Sequence, residues 1–244
     1  MALLEITGLS KSFRGLKALK DVTISVDEGQ ILGIIGSNGA GKTTLFNCIT
    51  GAFAPDSGTV TLNGEDITGK KMHTLAQSGL VRTFQLMRPF GTLSTIDNVT
   101  IAVQSRGVRP ESKARDEATL ILARTGLDQW ADATSGSLPT AVQKRLELAR
   151  ALAMNPRVLL LDEVLAGLVP SEREPVLDLL ESLRKNDGVT MVFIEHIMAA
   201  VRRLSDRVVM MDQGAVLAQG DVDEVLANPD VVAAYLGKEY GDAA

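Results

Sequence analysis

The feature that most constrains this chain is a glycine-rich segment at residues 36–44, with the sequence GSNGAGKTT. It fits the spacing G-x-x-x-x-G-K-[ST], with the fixed positions taken by Gly36, Gly41, Lys42 and Thr43. Apolar residues at 31–35 precede it and predict a buried strand, and residues 43–50 follow it and predict a helix that ends at Gly51. A glycine loop between a strand and a helix is typical of a site that binds nucleotide phosphates.

The residue types in this loop account for phosphate binding. Glycines let the backbone approach an anion closely because they carry no Cβ atom. Successive N–H groups and the N-terminus of the following helix then point at the phosphates. We expect Lys42 to reach the β- and γ-phosphates and the Thr43 hydroxyl to ligate Mg²⁺. The residues predicted to contact the nucleotide are Ser37, Asn38, Gly39, Ala40, Gly41, Lys42, Thr43 and Thr44.

Composition limits the partners that such a site can serve. The formal net charge of -5 argues against a broad nucleic-acid footprint, which needs a basic face. No apolar run approaches the roughly 18–20 residues that span a bilayer, and the N-terminus lacks the layout of a signal peptide. We therefore expect a cytoplasmic protein whose role at a membrane comes through a partner.

Strand patterns surround the glycine loop, and helical patterns follow it. The short strand patterns lie at 3–9, 22–26 and 59–62 and predict an antiparallel sheet. From about residue 86 the strand signal fades, and helical spacing appears at 111–125 and 141–154. A helical insertion at 86–155 is therefore predicted.

Strand–helix alternation resumes after residue 155. Buried strands are predicted at 158–161 and 189–194, a helix at 171–185, a hairpin at 207–219, and a surface helix at 221–236 interrupted at Pro229. Such alternation implies a parallel sheet covered by helices on both faces. The predicted fold class is α/β: one domain over residues 1–244, with a nucleotide-binding core and antiparallel β subdomain at 1–85 and 156–244.

Polar residues at the ends of these strands supply the second half of the site. Asp162 and Glu163 follow the strand at 158–161, and the carboxyl ends of parallel strands line the crevice where ligands bind. Asp162 is placed to hold Mg²⁺ and Glu163 to polarise an attacking water. His196 follows the next buried strand and is predicted to contact the γ-phosphate. Gln85, at the junction with the insertion, is predicted to sense Mg²⁺ and the attacking water.

Together these segments resemble the ATP-binding subunit of ABC transporters, over essentially the whole chain. The resemblance matches Walker A at 36–44, the Q-loop at Gln85, Walker B at Asp162 and Glu163, and the switch at His196. It implies a P-loop NTPase core of the RecA-like type, ATP and Mg²⁺ as cofactors, and hydrolysis of ATP coupled to transport. It also implies that Phe13 stacks on adenine, a position that a half-buried packing aromatic would equally fit.

Three shorter segments resemble one subgroup of that family, the ATPases of importers for branched-chain and other hydrophobic amino acids. They are LDEVLAGL at 161–168, FIEH at 193–196 and AYLG at 234–237. The resemblance implies transmembrane permease subunits, a second ATPase subunit and, indirectly, a periplasmic binding protein as partners. It places the chain on the inner face of the cell membrane.

The sequence departs from the family where the signature L-S-G-G-Q is expected. Residues 138–142 read LPTAV, so only the leucine remains. Pro139 has no N–H to offer a phosphate, and Thr140 provides either a hydroxyl one residue late or a helix N-cap. In this family each signature completes the ATP site of a second subunit. The departure therefore predicts a heterodimer with unequal ATP sites, whereas Val164 in place of the usual proline has no evident catalytic consequence.

Other functions fit the sequence less well. An ATPase of a lipid or lipopolysaccharide exporter has a similar layout and stays open. Soluble ABC proteins of DNA repair or translation usually carry two ATPase units or a long coiled coil, and this chain shows neither. A GTPase switch needs a guanine-reading N-K-x-D segment, which is absent from the sequence.

Overall fold

A computed structural model describes residues 2–83, 89–108 and 110–236 of the chain. Its strands are β1 (Ala2–Phe13), β2 (Leu16–Asp27), β3 (Ile31–Ile35), β4 (Ser57–Leu62), β5 (Glu65–Asp66), β6 (Leu80–Arg82), β7 (Val158–Asp162), β8 (Thr190–Ile194), β9 (Arg207–Asp212) and β10 (Ala215–Gly220). Its α-helices are α1 (Lys42–Ile49), α2 (Met72–Gln77), α3 (Thr95–Ser105), α4 (Glu111–Arg124), α5 (Thr140–Ala153), α6 (Pro170–Asp187), α7 (Met198–Leu204), α8 (Val222–Ala227) and α9 (Pro229–Leu236).

The first sheet is antiparallel, with the order β2-β1-β4-β5. The prediction of short strands is wrong for β1 and β2, which are 12 residues long each. Their pairing extends past the apolar part of each strand to Phe13 opposite Leu16, with register shifts along the way. Phe13 is therefore the last residue of β1. Backbone pairing, rather than side-chain pattern, sets this length.

The second sheet holds the glycine loop. Its order is β10-β9-β3-β8-β7-β6, and β9, β3, β8, β7 and β6 pair in parallel. The strands β3, β7 and β8 are buried at every position, as continuous apolar runs in a parallel sheet require. Because the five strands run the same way, their carboxyl ends lie along one edge. The predicted buried strands and the terminal hairpin are confirmed.

Two hydrophobic clusters cover the faces of this sheet, and a third lies among α3, α4 and α5. The predicted helices at 111–125 and 141–154 are confirmed as α4 and α5. The separate cluster supports a helical unit with its own core, although the domain boundaries stay a prediction. Among the described helices, none is both long enough and apolar enough to cross a bilayer.

Candidate nucleotide site

The glycine loop adopts a conformation that needs glycine at both ends. Gly36 and Gly41 have φ of +150° and +101°, in the region that side chains rarely adopt. A Cβ atom on Gly36 would lie 2.3 Å from the Met211 carbonyl oxygen, and one on Gly41 would lie 2.6 Å from the Ala18 carbonyl oxygen. The loop is thus pressed against β9 and β2, and α1 begins directly after it at Lys42.

The Lys42 side chain makes hydrogen bonds within the glycine loop, where it is predicted to bind phosphates. Its Nζ donates to the carbonyl oxygens of Gly36 and Ser37, at 2.6 and 2.9 Å. Burial lowers the pKa of Lys42, while the nearby carboxylates of Glu163 and Asp162 oppose that shift. The ammonium group therefore stands between the loop and the acidic strand end.

The glycine loop and Glu163 line one cavity of about 650 Å³. Its other lining residues include Phe13, Lys17 and Gly214. The topology thus brings the Walker A and Walker B positions together, as the parallel-sheet argument predicted. His196 is exposed at the end of β8 and does not line this cavity, and Gln85 lies outside the described residues. The roles of all these residues stay predictions.

Glu163 sits in a backbone turn that the end of β8 fixes. Its φ is +49°, a left-handed conformation that costs a non-glycine residue about 1–2 kcal/mol. Its N–H donates to the Ile194 carbonyl oxygen at 3.0 Å, and the Leu165 N–H donates to Glu195 Oε1 at 2.9 Å. On the other side, Lys144 Nζ lies 3.5 Å from the Glu163 carbonyl oxygen. These contacts hold the turn that orients the Glu163 side chain.

Glu195 and Lys144 are site residues for which sequence reasoning assigned no role. Both are buried. Burial raises the pKa of Glu195 and lowers the pKa of Lys144. The sequence signal for Glu195 was a carboxylate directly after an apolar strand. Lys144 had a weaker signal, since it lies among the apolar positions of α5.

Asp162 forms an ion pair with another residue that the sequence analysis did not single out. Arg82 Nη2 donates to Asp162 Oδ2 at 2.6 Å, and the two side chains are only 7% and 2% exposed. The available signal was a cation at the end of a short apolar strand, three residues before Gln85. A charge at such a position needs a partner once the strand is buried.

The donor set fits Mg²⁺ that arrives with phosphates. Thr43 and Asp162 offer the hard oxygen ligands that Mg²⁺ prefers, and both line a second cavity of about 830 Å³. Across the described ranges, no cluster of three or more His, Cys, Asp or Glu side chains forms a metal cage. Mg²⁺ typically takes one or two protein ligands plus substrate phosphates and water, which matches this arrangement.

Comparison with known proteins identifies the family. The sequence profile described as "ABC transporter" matches residues 19–166, more than half of the chain. The chain belongs to the ABC transporter family of ATP-binding cassettes. A second profile, "Branched-chain amino acid ATP-binding cassette transporter", matches residues 215–241 of this ABC cassette. The predictions of an ABC-type ATPase and a P-loop fold are confirmed.

Relatives of this ABC cassette match it along nearly its whole length. BraF of Pseudomonas aeruginosa, named a high-affinity branched-chain amino acid transport ATP-binding protein, is 40% identical over 97% of this chain and 98% of its own. LivG of Escherichia coli, with the same description, is 38% identical over the same shares. A crystal structure of a nucleotide-free cassette from an ABC transporter superposes with a TM-score of 0.88, at 32% identity over 97% of this chain and 100% of that one. The ADP conformation of an ABC cassette gives the same TM-score and identity, over 97% of this chain and 99% of that one.

The degenerate signature of this ABC cassette is packed as a structural element. Leu138 and Val142 are buried in the cluster of α3, α4 and α5. Pro139 occupies the N-cap position of α5, which has no side-chain cap, so the alternative of Thr140 as an N-cap is wrong. Gln143 Nε2 donates to the Leu138 carbonyl oxygen at 2.8 Å and closes this turn locally.

Proposed function

We propose that this ABC cassette uses ATP hydrolysis to power an importer of branched-chain or other hydrophobic amino acids. The observation that supports this reaction is that the glycine loop and Glu163 line the same cavity. The cargo follows from the relatives, which are branched-chain amino acid transport subunits along nearly the full length.

Each residue then has a chemical role. The loop amides and Lys42 bind the phosphates, and Thr43 and Asp162 hold Mg²⁺, which offsets the charge that develops on the transferred phosphoryl group. Glu163 polarises the attacking water. His196 contacts the γ-phosphate, and Gln85 senses Mg²⁺ and the attacking water. Positioning and electrostatic stabilisation supply most of the rate enhancement in reactions of this kind.

The larger cavity supports contact with a permease. It opens between α2, α3 and α5 and is lined mainly by apolar side chains, including the exposed Met72, Phe90 and Ile101. A helix from a cytoplasmic loop of a permease subunit fits such a groove, because an amphipathic helix binds by burying its apolar face. This contact places the ABC cassette on the inner face of the membrane. The cavity also reaches Asp162, so the permease helix would end close to the carboxylate that is proposed to hold Mg²⁺.

A second ATPase subunit follows from the degenerate signature. Pro139 at the start of α5 removes one backbone donor, and the exposed Thr140 has no glycine neighbours to bring a phosphate close. Loss of one positioned donor costs roughly 10²–10³ in rate. A partner ATPase with an intact signature completes the site that contains Glu163, and the site completed by this chain is slower.

The Glu163→Gln variant tests the proposed chemistry. It keeps the shape of the side chain but removes the carboxylate that polarises water, so we expect ATP hydrolysis to fall by about 10²-fold or more. Binding of ATP, measured by fluorescence of a labelled analogue, is expected to change by less than about threefold. The matched control is Glu174→Gln, an exposed carboxylate on α6. Unchanged hydrolysis in Glu163→Gln would refute the assignment.

Reconstitution with permeases tests the cargo. The ABC cassette is co-expressed with permease subunits, the second ATPase and a binding protein encoded beside it, and ATPase activity in vesicles is measured. We expect leucine, isoleucine or valine, delivered with the binding protein, to stimulate the activity. Stimulation by lipid or lipopolysaccharide instead would favour the exporter alternative and contradict the import function.

A further inference from the structure

Asp162 already has a cationic partner in a contact that spans three elements. Arg82, the last residue of β6, reaches Asp162 at the end of β7 through Nη2 at 2.6 Å. Its Nη1 donates to Asn47 Oδ1 on α1 at 2.6 Å. Its guanidinium carbon lies 5.4 Å from the centre of the Phe46 ring, within the range of a cation–π contact. One planar group therefore connects the helix of the glycine loop with the Walker B strand.

This ion pair involves a carboxylate that is also predicted to hold a metal. A buried carboxylate without a cation is strongly unfavourable, so Arg82 stabilises Asp162 before any ligand binds. The Oδ2 atom that accepts from Arg82 cannot interact at full strength with a guanidinium and a divalent ion together. Arg82, Thr43 and Asp162 line the same cavity, so the guanidinium stands beside the oxygen atoms where the ion would bind.

We propose that Arg82 is a resident cation that excludes a bare divalent ion from Asp162 and yields the carboxylate only when nucleotide phosphates arrive. This inference rests on the proposed binding of Mg-ATP. Arg82 and Lys42 balance the two carboxylates Asp162 and Glu163, so the empty site has little net attraction for a cation. A triphosphate adds several negative charges, and the balance then favours the metal.

The fork of the guanidinium suits this positioning role. Arginine presents donors in a fixed plane, so Arg82 holds Asn47 with one nitrogen while the other releases Asp162. Asn47 keeps the released group close to the site. Arg82 is therefore a positioning residue that does not touch the reacting atoms.

The test is a titration with Mn²⁺, a paramagnetic stand-in for Mg²⁺, followed by electron paramagnetic resonance of the free ion. We expect wild type to bind Mn²⁺ weakly without nucleotide and tightly with ATP. The Arg82→Gln variant is expected to bind Mn²⁺ without nucleotide about tenfold more tightly than wild type, because one positive charge beside the site is gone. The double variant Arg82→Gln with Asp162→Asn is expected to lose this gain.

Two further variants test whether Arg82 controls metal binding or only stabilises the fold. Arg184→Gln removes an Arg–Asp pair with Asp206, at 2.5 Å, that connects α6 to the residue before β9. It should leave Mn²⁺ binding at the wild-type level. If Arg82→Gln does not fold, Asn47→Ala removes only the second anchor, and Mn²⁺ affinity without nucleotide is expected to rise about threefold.

Two results would overturn the inference. One is wild-type affinity for Mn²⁺ that is equally high with and without ATP. The other is a lower melting temperature in the Arg82 or Asn47 variants with no change in Mn²⁺ binding, which would show an ion pair of purely structural importance. Failure of the protein to bind ATP at all would refute the proposed function separately, because the nucleotide-free titration does not depend on it.

Discussion

Glu195 carries a carboxylate into the interior with only part of its hydrogen-bonding capacity used. The residue is 1% exposed, and its Oε1 accepts the Leu165 N–H. Its Oε2 has no hydrogen-bond partner among the residues that the structure describes. Desolvation raises its pKa, while the Leu165 N–H and His196 oppose that shift. The turn around Glu163 is therefore held in part by a buried carboxylate whose pKa is raised.

Replacing Glu195 with glutamine is expected to stabilise the fold at high pH. The folded-state pKa lies above the unfolded one, so stability from the protonated carboxyl is present at low pH and is lost as pH rises through the folded pKa. Glutamine keeps the Leu165 contact without a charge. We expect the free energy of unfolding of Glu195→Gln to exceed that of wild type by about 1 kcal/mol near pH 8, and by less near pH 5.

Chemical denaturation at both pH values measures this difference. Glu163, His196 and Lys144 act on Glu195, so Lys144→Met is measured in parallel. A Glu195→Gln variant that is less stable than wild type at high pH would show that attraction to Lys144 outweighs desolvation. Glu181→Gln, at a carboxylate paired with Arg203 on the surface, controls for the loss of one negative charge.

The missed residues share a physical reason. Asp162 and Glu163 were predictable because the parallel-sheet rule places this strand end at the ligand edge, and the glycine loop in the same sequence gives two carboxylates there a metal and a water to act on. Arg82, Lys144 and Glu195 matter because the fold buries them against residues far along the chain, and a single sequence does not contain those distances. Charge inside or beside an apolar run signals that a partner exists but does not identify it.

The β1–β2 hairpin determines the position of the Phe13 ring. The ring closes β1 and contacts Phe53, in the segment after α1, with ring centroids 5.3 Å apart and an interplanar angle of 72°. Lys11 Nζ lies 5.6 Å from the centre of the Phe13 ring. Because Phe13 also lines the cavity of the glycine loop, Phe53 contacts the ring that is predicted to stack on adenine.

Truncation of the two rings should weaken nucleotide binding by different amounts. Phe13→Ala removes the predicted stacking surface, so we expect the Kd for ATP to rise about tenfold, as for loss of one base–aromatic stack. Phe53→Ala removes only the edge contact, which is worth roughly 0.5–1.5 kcal/mol, so a rise of about threefold is expected. Fluorescence titration with labelled ATP measures both. Leu120→Ala, an exposed apolar residue on α4, is the control, and equal Kd values for all four proteins would contradict stacking by Phe13.

Strands and helices were predictable from the sequence where a single property of their residues determines them. Short runs of mainly apolar residues gave β3, β7 and β8, because a parallel strand buried on both faces is apolar at nearly every position. Helix α3 was not foreseen as a separate element. Its N-cap is Ser94, whose side chain accepts from the Asp97 N–H, and Ile96, Val99 and Val103 are buried at helical spacing. Both signals lay in the sequence, so α3 was missed although it was predictable.

The cassette has a well-formed nucleotide-binding site, but its signature segment lacks the usual hydrogen-bond donors. The glycine loop, Glu163 and Asp162 come together within this chain. The segment at 138–142, by contrast, puts proline at a helix N-terminus that has no side-chain cap. Two copies of the chain would therefore pair good loops with poor signatures, which disfavours a stable homodimer around ATP.

Restoring the donors should change the oligomeric state. We expect Glu163→Gln, which preserves bound ATP, to remain monomeric in Mg-ATP on size-exclusion chromatography with light scattering. Adding Pro139→Ser, Thr140→Gly and Ala141→Gly gives each copy a backbone that can approach the partner's phosphates, so an ATP-dependent dimer is expected. Val142 stays unchanged because it is buried in the helical cluster. The glycines each cost a helix about 1 kcal/mol, so melting temperature is checked first.

The same three changes without ATP should leave a monomer. A dimer of Glu163→Gln with the native segment would instead show that residues 138–142 suffice, and the heterodimer with unequal sites would lose its basis.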